Sequence, residues 1–479
     1  MKFTNSVDVF HILSSLDWWI FFGVLACTIL SVLYGLFLRK KMKASLNVSS
    51  TDSWGDYILM GRQLTLPLFV ATLVATWYGQ IFGVTQIAYE HGVYSFLING
   101  IFWYIAYAIF AFFLSRSIRR YQVLTFPELL EKLIGSGPAK AAAALVFLKT
   151  LPIAYGMSVG IFIQFVFGIP LSGAMAIGIG FVVFYSLFGG FRAVVFSDFI
   201  QFSVMYIGII SIVLFSYIQC GGYSYLSAHL PASHFSLTGE FSISTTFVWF
   251  FIALSTTFLN PTFYQRCFAA KTDNTAFWGI LISILFWVGF DFCQLAIGLY
   301  AKAALPNATP TDACLSYALQ ILPVGWKGLF LAAVLATILS TLDSFLFISS
   351  TVLSYDLKIF KKLSPFQSHF YTLILTGVLT FFLAILWEGR IETAWKTLKG
   401  AFTACLFVPI VWCYIKPYSL MSRDFTISTI CVLASMGVWT LYGSPAIDSF
   451  YVGNIVALGV IVGKSWYKKF DKFLQYKKV

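Results

Sequence analysis

The chain has 479 residues and a formal net charge of +12, and 59% of its residues are hydrophobic while 10% are charged. Ordinary soluble domains carry about a quarter charged residues, so this composition excludes a soluble globular protein. Long apolar runs recur along the whole chain, which makes lipid the solvent for most of it.

The basic residues lie in short tracts between the apolar runs, for example Arg39-Lys40-Lys41 and Lys361-Lys362. Tracts of this kind anchor membrane helices on the cytoplasmic side. The positive net charge therefore indicates membrane topology, and we expect no nucleic acid among the partners.

Thirteen apolar segments follow one another, and each is predicted to be a transmembrane helix. The first has no small-residue cleavage site and is followed by a basic stop, so we expect a retained helix instead of a cleaved signal. The sequence thus predicts an all-α membrane protein with about thirteen spans. The segments are 17–38, 66–90, 94–116, 139–168, 171–189, 194–217, 243–263, 274–304, 326–356, 369–388, 395–415, 424–442 and 449–467.

An odd number of spans places the two termini on opposite sides of the membrane. The loop 218–242 contains neither Lys nor Arg, whereas the C-terminal tail carries six lysines from Lys464 to Lys478. The positive-inside rule then predicts an N-terminus outside and a C-terminus in the cytoplasm. The short loops are typical of a prokaryotic inner membrane, where we expect the protein to reside.

Two of the segments carry helix breakers at membrane depth. The second contains Gly79 and Gly83 among polar side chains, and the seventh contains Asn260-Pro261. Proline removes a backbone hydrogen bond and frees carbonyl groups. Broken helices at matching positions, five segments apart, are typical of transporters built from two inverted repeats, which bind ion and substrate where the breaks meet.

The ninth segment gathers hydroxyl groups on one face. Thr337, Ser340 and Thr341 share a face by helical spacing, and Ser340, Asp343 and Ser344 form an overlapping set. Hydroxyls alone would be explained by contacts between helices. A carboxylate within the membrane is costly and usually marks an ion or a transport pathway, so Asp343 favours a cation site.

Three further ionisable residues lie within apolar segments, namely Lys149, Asp198 and Asp291. Asp198 either caps its helix, pairs with Arg192 or binds an ion. Lys149 and Asp291 either pair with each other across two segments or act separately. The sequence leaves these alternatives open.

Three motifs resemble those of the sodium:solute symporter family, whose members carry sugars, proline, pantothenate, choline, iodide and other small solutes. The stretch from Gly189 to Gln201 resembles the family signature GG-x-x-A-V-x-x-[ST]-D-x-x-Q. The run that begins at Gln265-Arg266 and ends at Lys271 is similar to a QR-x-x-A-A-K segment, and Ser340-Thr341 also matches. The resemblance covers nearly the whole chain.

The resemblance implies a LeuT-like fold with ten core helices in two inverted repeats of five. One transporter domain would cover residues 1–479: an additional helix at 17–38, the first repeat within 66–263, the second repeat at 243–415 and two final helices at 424–467. The primary sodium site would consist of the carbonyls of Leu73, Thr76 and Thr337 and the hydroxyls of Ser340 and Thr341.

A second site, for sodium or a proton, would use Asp198, Ser340, Asp343 and Ser344. Asp343 departs from the Ser or Thr of many members, but it resembles choline-type members, as does Trp77. The resemblance also implies substrate-facing residues, which are Gln80, Asn99, Asn260, Trp287 and Asp291.

The predicted function is sodium-coupled symport of a small polar organic solute by alternating access. Sodium is the coupling ion and the only metal expected, no cofactor is expected, and the oligomeric state stays open. The alternatives are a proton-coupled symporter that uses Asp343 or Asp198, a channel, or a sensor built on the same fold. An enzyme is disfavoured because the five histidines form no metal-ligand cluster or nucleophile–base pair.

Overall fold

The computed structural model describes residues 3, 8–45, 54–187, 189–239, 241–386, 391–416, 420, 422–443 and 448–476. Each of the thirteen predicted segments coincides there with a helix or with a broken helix. We label these helices α1 to α13, with a and b for the halves of a broken one. They are α1 Ser15–Ser45, α2a Leu66–Ala75, α2b Ile81–His91, α3 Tyr94–Arg120, α4a Ser136–Thr150, α4b Ile153–Phe167, α5 Leu171–Ser186, α6 Gly190–Cys220, α7a Ile243–Phe258, α7b Pro261–Ala269, α8 Asp273–Ala304, α9 Trp326–Asp356, α10 Pro365–Leu386, α11 Ile391–Ile415, α12 Ser422–Tyr442 and α13 Ser449–Tyr476.

Short helices connect the long ones. They are Val9–Ile12, Trp54–Leu59, Phe126–Ile134, Tyr223–His229 and Pro310–Ile321, with 3₁₀ turns at Met60–Arg62 and Ala232–Phe235. Within the described residues, eight helices are long and apolar enough to cross a membrane, or nine if the bent pair α7a and α7b counts as one. The all-helical membrane fold is confirmed, while the number thirteen stays a prediction.

The helix α9 forms the centre of the molecule. Every residue from Phe330 to Ser354 is buried, including the hydroxyl-rich stretch. Helices α2a, α4, α6 and α10 pack against it. α1 also packs against α9, and its outer side exposes large apolar side chains such as Trp19 and Phe37, as expected of a helix that faces lipid.

The predicted breaks in the second and seventh segments are present, and α4 is broken as well. Pro152 ends α4a because proline cannot supply the amide that the helix needs and disfavours a helical conformation in Leu151 before it. The predicted segment 139–168 thus corresponds to one candidate span, Ser136–Phe167, with a break at Pro152 that was not predicted. Both α4a and α4b contact α9 and α11.

The beginning of α6 also differs from the prediction. The helix starts at Gly190 instead of 194, so Asp198 lies two turns inside it and does not cap it. Arg192 pairs with Asp56 at 3.4 Å and is not the partner of Asp198. The side chains of Arg39-Lys40-Lys41 and of the lysines after Lys464 lie outside the described residues.

Candidate functional site

The break in α2 brings an unwound backbone against α9. Gly79 is required there, because a Cβ atom at this position would lie 2.6 Å from Cβ of Thr341 and 2.8 Å from Cδ1 of Tyr155. The Trp77 amide donates to the Val74 carbonyl at 3.2 Å, one residue later than in an α-helix. The Leu73 carbonyl thereby loses its helical donor and is available to another ligand.

The five predicted primary sodium ligands lie on the two facing elements. Leu73 and Thr76 are at the end of α2a, and Thr337, Ser340 and Thr341 are on α9. The Ser340 hydroxyl donates to the Ala75 carbonyl at 2.8 Å, which joins the two elements directly. The Thr341 hydroxyl donates to the Thr337 carbonyl at 3.3 Å. The result is a buried group of hydroxyl and carbonyl oxygens, the ligand type that hard cations prefer.

Arg266 occupies the middle of a neighbouring polar cluster. Its side chain is fully buried, and its Nη2 donates to the hydroxyls of Thr72 at 3.0 Å, Thr76 at 2.8 Å and Ser344 at 2.8 Å. The same nitrogen lies 3.5 Å from Oδ2 of Asp198, which also accepts from Thr72. The guanidinium group thus contacts two residues of the predicted second cation site, Asp198 and Ser344.

Asp343 lies beside this cluster with partners of its own. Its Oδ2 accepts from the Tyr185 hydroxyl at 2.9 Å and from the Ser197 hydroxyl at 3.4 Å. Among the described residues, Oδ1 of Asp343 and Oδ1 of Asp198 have no hydrogen-bond partner although both are buried. Ser340 points elsewhere, to Ala75. Of the four predicted residues of the second site, Asp198 and Ser344 therefore share Arg266 as a partner, whereas Asp343 and Ser340 bond to other groups.

The break in α7 is held by two side chains. Oδ1 of Asn260 accepts from the Thr262 amide at 3.1 Å and the Thr262 hydroxyl at 2.8 Å, which caps α7b. The Lys149 ammonium donates to the Leu259 carbonyl at 2.9 Å. Lys149 is itself 4% exposed. A buried positive charge from α4a therefore lies at the point where α7 changes direction by 41°.

Lys149 and Asp291 do not pair with each other, although both lie in the described part of the chain. Asp291 accepts instead from the Tyr104 hydroxyl at 2.5 Å. The Tyr78 hydroxyl, from the break in α2, donates to the Trp287 carbonyl at 3.3 Å. Two tyrosines thus connect α2 and α3 to the part of α8 that carries Trp287 and Asp291.

An aromatic cluster surrounds Trp77 next to the two breaks. The ring of Trp77 lies 4.9 Å from Trp103, 5.3 Å from Tyr107 and 6.1 Å from Trp287, measured between centroids. The indole nitrogen of Trp287 is buried and has no partner among the described residues. Trp287, a predicted substrate residue, therefore belongs to an apolar cluster in which its indole nitrogen is the polar atom that could bind a ligand.

Two further predicted substrate residues differ in their surroundings. Nε2 of Gln80, at the end of the break in α2, is buried without a partner in the described part. Asn99 lies in a π-helical turn of α3, Leu97–Ile101, and its Nδ2 donates to the Ser95 hydroxyl at 3.3 Å. Single π-turns within α-helices are frequent at functional sites.

Backbone and arginine contacts join the broken helices α2 and α7 at the end where α2a begins and α7b ends, which we call the closed end. The Leu64 amide donates to the Ala269 carbonyl at 3.0 Å, and the Lys271 amide donates to the Leu64 carbonyl at 2.9 Å. Arg62 adds bonds to the carbonyls of Phe268 at 3.1 Å and Val123 at 3.0 Å. Burial, together with the nearby charge of Arg119, lowers the pKa of Arg62 from its ordinary value.

Sequence reasoning missed the central position of Arg266. It was considered as part of the Gln265-Arg266 motif, whereas the side chain is fully buried and bonded to three hydroxyls. The signal was its location about one and a half helical turns after Asn260-Pro261, where a basic residue is still close to the break. Tyr104 and Tyr185 gave no signal, since tyrosine within an apolar segment is ordinary.

Comparisons with known proteins agree with this architecture. A model of the "Sodium:solute symporter family" matches residues 57–416, well over half of the chain. The sodium/pantothenate symporter of Haemophilus influenzae is 27% identical over 348 residues, which cover 66% of this chain and 71% of that protein. The sodium/glucose cotransporter of Vibrio parahaemolyticus is 25% identical, with coverage of 73% and 70%.

Two more similarities complete the comparison. The sodium-coupled monocarboxylate transporter 2 of Danio rerio is 25% identical over 63% of this chain, and the match spans about half, 52%, of that protein. A substrate-bound, outward-open structure of a Na⁺-coupled sialic acid symporter superposes with a TM-score of 0.76 over 94% of this chain and 96% of the other, at 17% identity. This likeness establishes the LeuT-like fold.

Proposed function

The chain belongs to the sodium:solute symporter family, and we propose that it imports a small polar organic solute together with sodium. Like the relatives that match it, it is a multi-pass membrane transporter and not an enzyme. The observation that carries the proposal is the contact between the two facing elements at Ser340 and Ala75, 2.8 Å apart. Ion and solute would bind at the broken helices, and the two repeats would rock around them.

The primary sodium ion would bind where α2a ends against α9. The carbonyls of Leu73, Thr76 and Thr337 and the hydroxyls of Ser340 and Thr341 supply five oxygens, and a sodium ion there would replace the hydrogen bond from Ser340 to Ala75. Sodium binding would thus fix the unwound segment of α2 relative to α9. One positive charge gains about 2.3 kcal/mol per 100 mV on entering a negative cell.

A second coupling charge is supported by the cluster around Arg266. Asp198 and Asp343 are two carboxylates and Arg266 is one guanidinium, and all three side chains are 0% exposed. One negative charge remains uncompensated when all are ionised, and an isolated buried charge costs several kcal/mol. We propose that a second sodium ion or a proton neutralises it at Asp343. Proton coupling through Asp343 or Asp198 is accordingly the second candidate mechanism.

The charges at the breaks favour a solute that carries a carboxylate. The buried ammonium of Lys149 lies at the break in α7, 2.9 Å from the Leu259 carbonyl. Asp291, the residue that would attract a cationic solute, accepts from Tyr104 at 2.5 Å, and in this proposal it positions Tyr104 instead of binding the solute. Two relatives are named for pantothenate and for monocarboxylates, both of which are carboxylates. Gln80, Asn99, Asn260 and Trp287 would then recognise the uncharged part of the solute.

A thermal-shift experiment on the purified protein tests the proposal. The solute panel contains pantothenate, short monocarboxylates, sugars, proline, betaine and choline, each measured in sodium and in potassium. We expect one carboxylate to stabilise the protein in sodium only. Thr341→Ala should abolish the sodium effect, whereas Thr351→Ala should keep it, because within the described residues the Thr351 hydroxyl bonds only to the Phe347 carbonyl of its own helix.

Three outcomes would change the proposal. Stabilisation by a solute regardless of the cation would favour proton coupling. Stabilisation by choline or betaine alone would refute the preference for carboxylates while leaving sodium coupling intact. Reconstituted protein that equilibrates the solute without accumulating it would identify a channel.

We further propose that the protein lies in the inner membrane with its N-terminus outside and its C-terminus in the cytoplasm. The basic side chains at the closed end of the broken helices, such as Arg119 and Lys271, would then face the cytoplasm. To test this orientation, single cysteines would be placed in the loop 218–242 and near Lys361. Each cysteine would then be labelled from the outer or from the inner side of the membrane.

A further inference from the structure

A basic cavity, largely open to the protein surface, lies where α3 ends and α8 begins. Its volume is about 540 Å³, and seven residues line it: Arg116, Arg119, Arg120, Lys271, Thr272, Asp273 and Asn274. Four of these side chains are positive and one is negative. Anchoring a helix on the cytoplasmic side, the role predicted for the short basic tracts, needs no cavity.

The single carboxylate is already engaged. Asp273 pairs with Arg119 at 3.0 Å and with Arg120 at 3.7 Å. Arg119 also donates to the carbonyls of Ala270 at 2.9 Å and Lys271 at 2.8 Å, so it forms the fixed wall of the cavity. The remaining positive charge of the cavity has no other acid among its lining residues to neutralise it.

The cavity adjoins the apolar surface of the molecule. Arg116 packs its guanidinium over the Phe277 ring at 4.0 Å, and Phe112 lies 5.3 Å from the same ring. The neighbouring side chains Phe113 and Trp278 are 75% and 52% exposed. Exposed aromatic side chains beside basic ones are typical of the level at which lipid headgroups lie.

We propose that this cavity binds the phosphate of an anionic phospholipid headgroup. The arginines supply several planar donors to the phosphate oxygens, and the acyl chains would follow Phe113 and Trp278 into the membrane. Basic pockets between transmembrane helices are suited to such headgroups. The proposal does not depend on the transported solute or on the coupling ion.

The bound headgroup would also stabilise the closed end of the broken helices. Lys271 belongs both to the cavity and to the backbone bridge with Leu64, in which its amide donates at 2.9 Å. Arg119 connects the same backbone to the cavity wall through the Ala270 carbonyl. A phosphate that binds the side chains of Lys271 and Arg119 would therefore stabilise the backbone bridge between Lys271 and Leu64.

Native mass spectrometry of the purified full-length protein tests the site, with phosphatidylglycerol, phosphatidylcholine or inorganic phosphate added in detergent. We expect retention of phosphatidylglycerol over phosphatidylcholine. The double variant Arg116→Gln with Lys271→Gln should bind phosphatidylglycerol about twentyfold more weakly, since each basic residue near an anionic lipid contributes a several-fold factor. The wall residue Arg119 is kept in this variant so that the fold persists.

The matched control removes the same charge elsewhere. Lys361→Gln with Lys362→Gln changes two exposed lysines after α9 that line no part of this cavity, and this variant should keep the phosphatidylglycerol affinity. An equal loss in the control would reduce the effect to general electrostatic attraction and overturn the proposal. Inorganic phosphate that displaces phosphatidylglycerol at equal concentration would overturn it too, because the site would then bind free phosphate instead of a lipid.

Discussion

The Arg266 guanidinium lies 3.5 Å from the Asp198 carboxylate, and both side chains are fully buried. A second carboxylate, Asp343, is a neighbour of the pair through Ser197, which donates to it at 3.4 Å. The interior of this transporter therefore contains a fixed positive charge among the residues that are predicted to bind a second cation or a proton. The coupling chemistry depends on how that fixed charge is balanced.

The Arg266–Asp198 pair should be essential for stability. Arg266→Gln leaves Asp198 buried without its cation, and removing one member of a buried ion pair costs about 3–5 kcal/mol. We expect a markedly lower melting temperature in detergent and no transport. The double variant Arg266→Gln with Asp198→Asn should regain much of the melting temperature but no transport. An unchanged melting temperature in Arg266→Gln would contradict the buried pair.

Gly79 should tolerate no side chain. Gly79→Ala places a methyl group 2.6 Å from Cβ of Thr341, and overpacking of this kind costs about 1–3 kcal/mol. Because the clash separates the unwound part of α2 from α9, we expect loss of sodium-dependent stabilisation. Gly83→Ala is the matched control, since nothing lies within 4 Å of its Cβ position. Sodium binding that is equal in both variants would refute the proposed location of the ion.

Asp343 should contribute one coupling charge. Asp343→Asn keeps an oxygen that accepts from Tyr185 but removes the excess negative charge of the cluster. We expect the charge carried per solute to fall by one, measured from reversal potentials in proteoliposomes. Asp356→Asn, at the far end of α9 and bonded to Thr125, serves as the control and should leave the ratio unchanged. An unchanged ratio in Asp343→Asn would exclude a second coupling charge there.

Arg62 should hold the closed end of the broken helices together. Arg62→Gln removes its bonds to the Phe268 and Val123 carbonyls, and hydrogen bonds to charged groups contribute about 1.5–3 kcal/mol. We expect exchange of the Leu64 and Lys271 amide hydrogens to accelerate at least about tenfold. Lys132→Gln, which loses one bond to the Tyr121 carbonyl, should leave that exchange unaltered. Equal exchange in Arg62→Gln and the parent protein would show that Arg62 does not maintain the closure.

The broken helices α2 and α7 could be predicted from sequence because their causes are local. Asn260-Pro261 removes a backbone donor and supplies a cap, and Gly79 has no side chain where α9 approaches. Pro152 is the same kind of local signal, and the break it produces in α4 was not predicted. The hydroxyl set of Ser340 and Thr341 followed from helical spacing in the same way.

The partners of the buried charges could not be predicted, because they are set by tertiary contacts. Lys149 reaches the Leu259 carbonyl 110 residues away, and Tyr104 reaches Asp291 from a distance of 187 residues in the chain. The position of Arg266 could not be predicted, because its neighbours in sequence gave no sign of the hydroxyls of Thr72, Thr76 and Ser344. Sequence indicated which residues were costly to bury but not what compensates them.

Solute uptake into proteoliposomes tests the central claim most directly. A sodium gradient at equal pH is compared with a pH gradient in sodium-free buffer, for the parent protein and for Ser340→Ala with Thr341→Ala. Sodium coupling at the site between α2a and α9 predicts accumulation driven by the sodium gradient in the parent protein and its loss in the double variant. Accumulation driven by the pH gradient alone, or full sodium dependence in the double variant, would contradict the account.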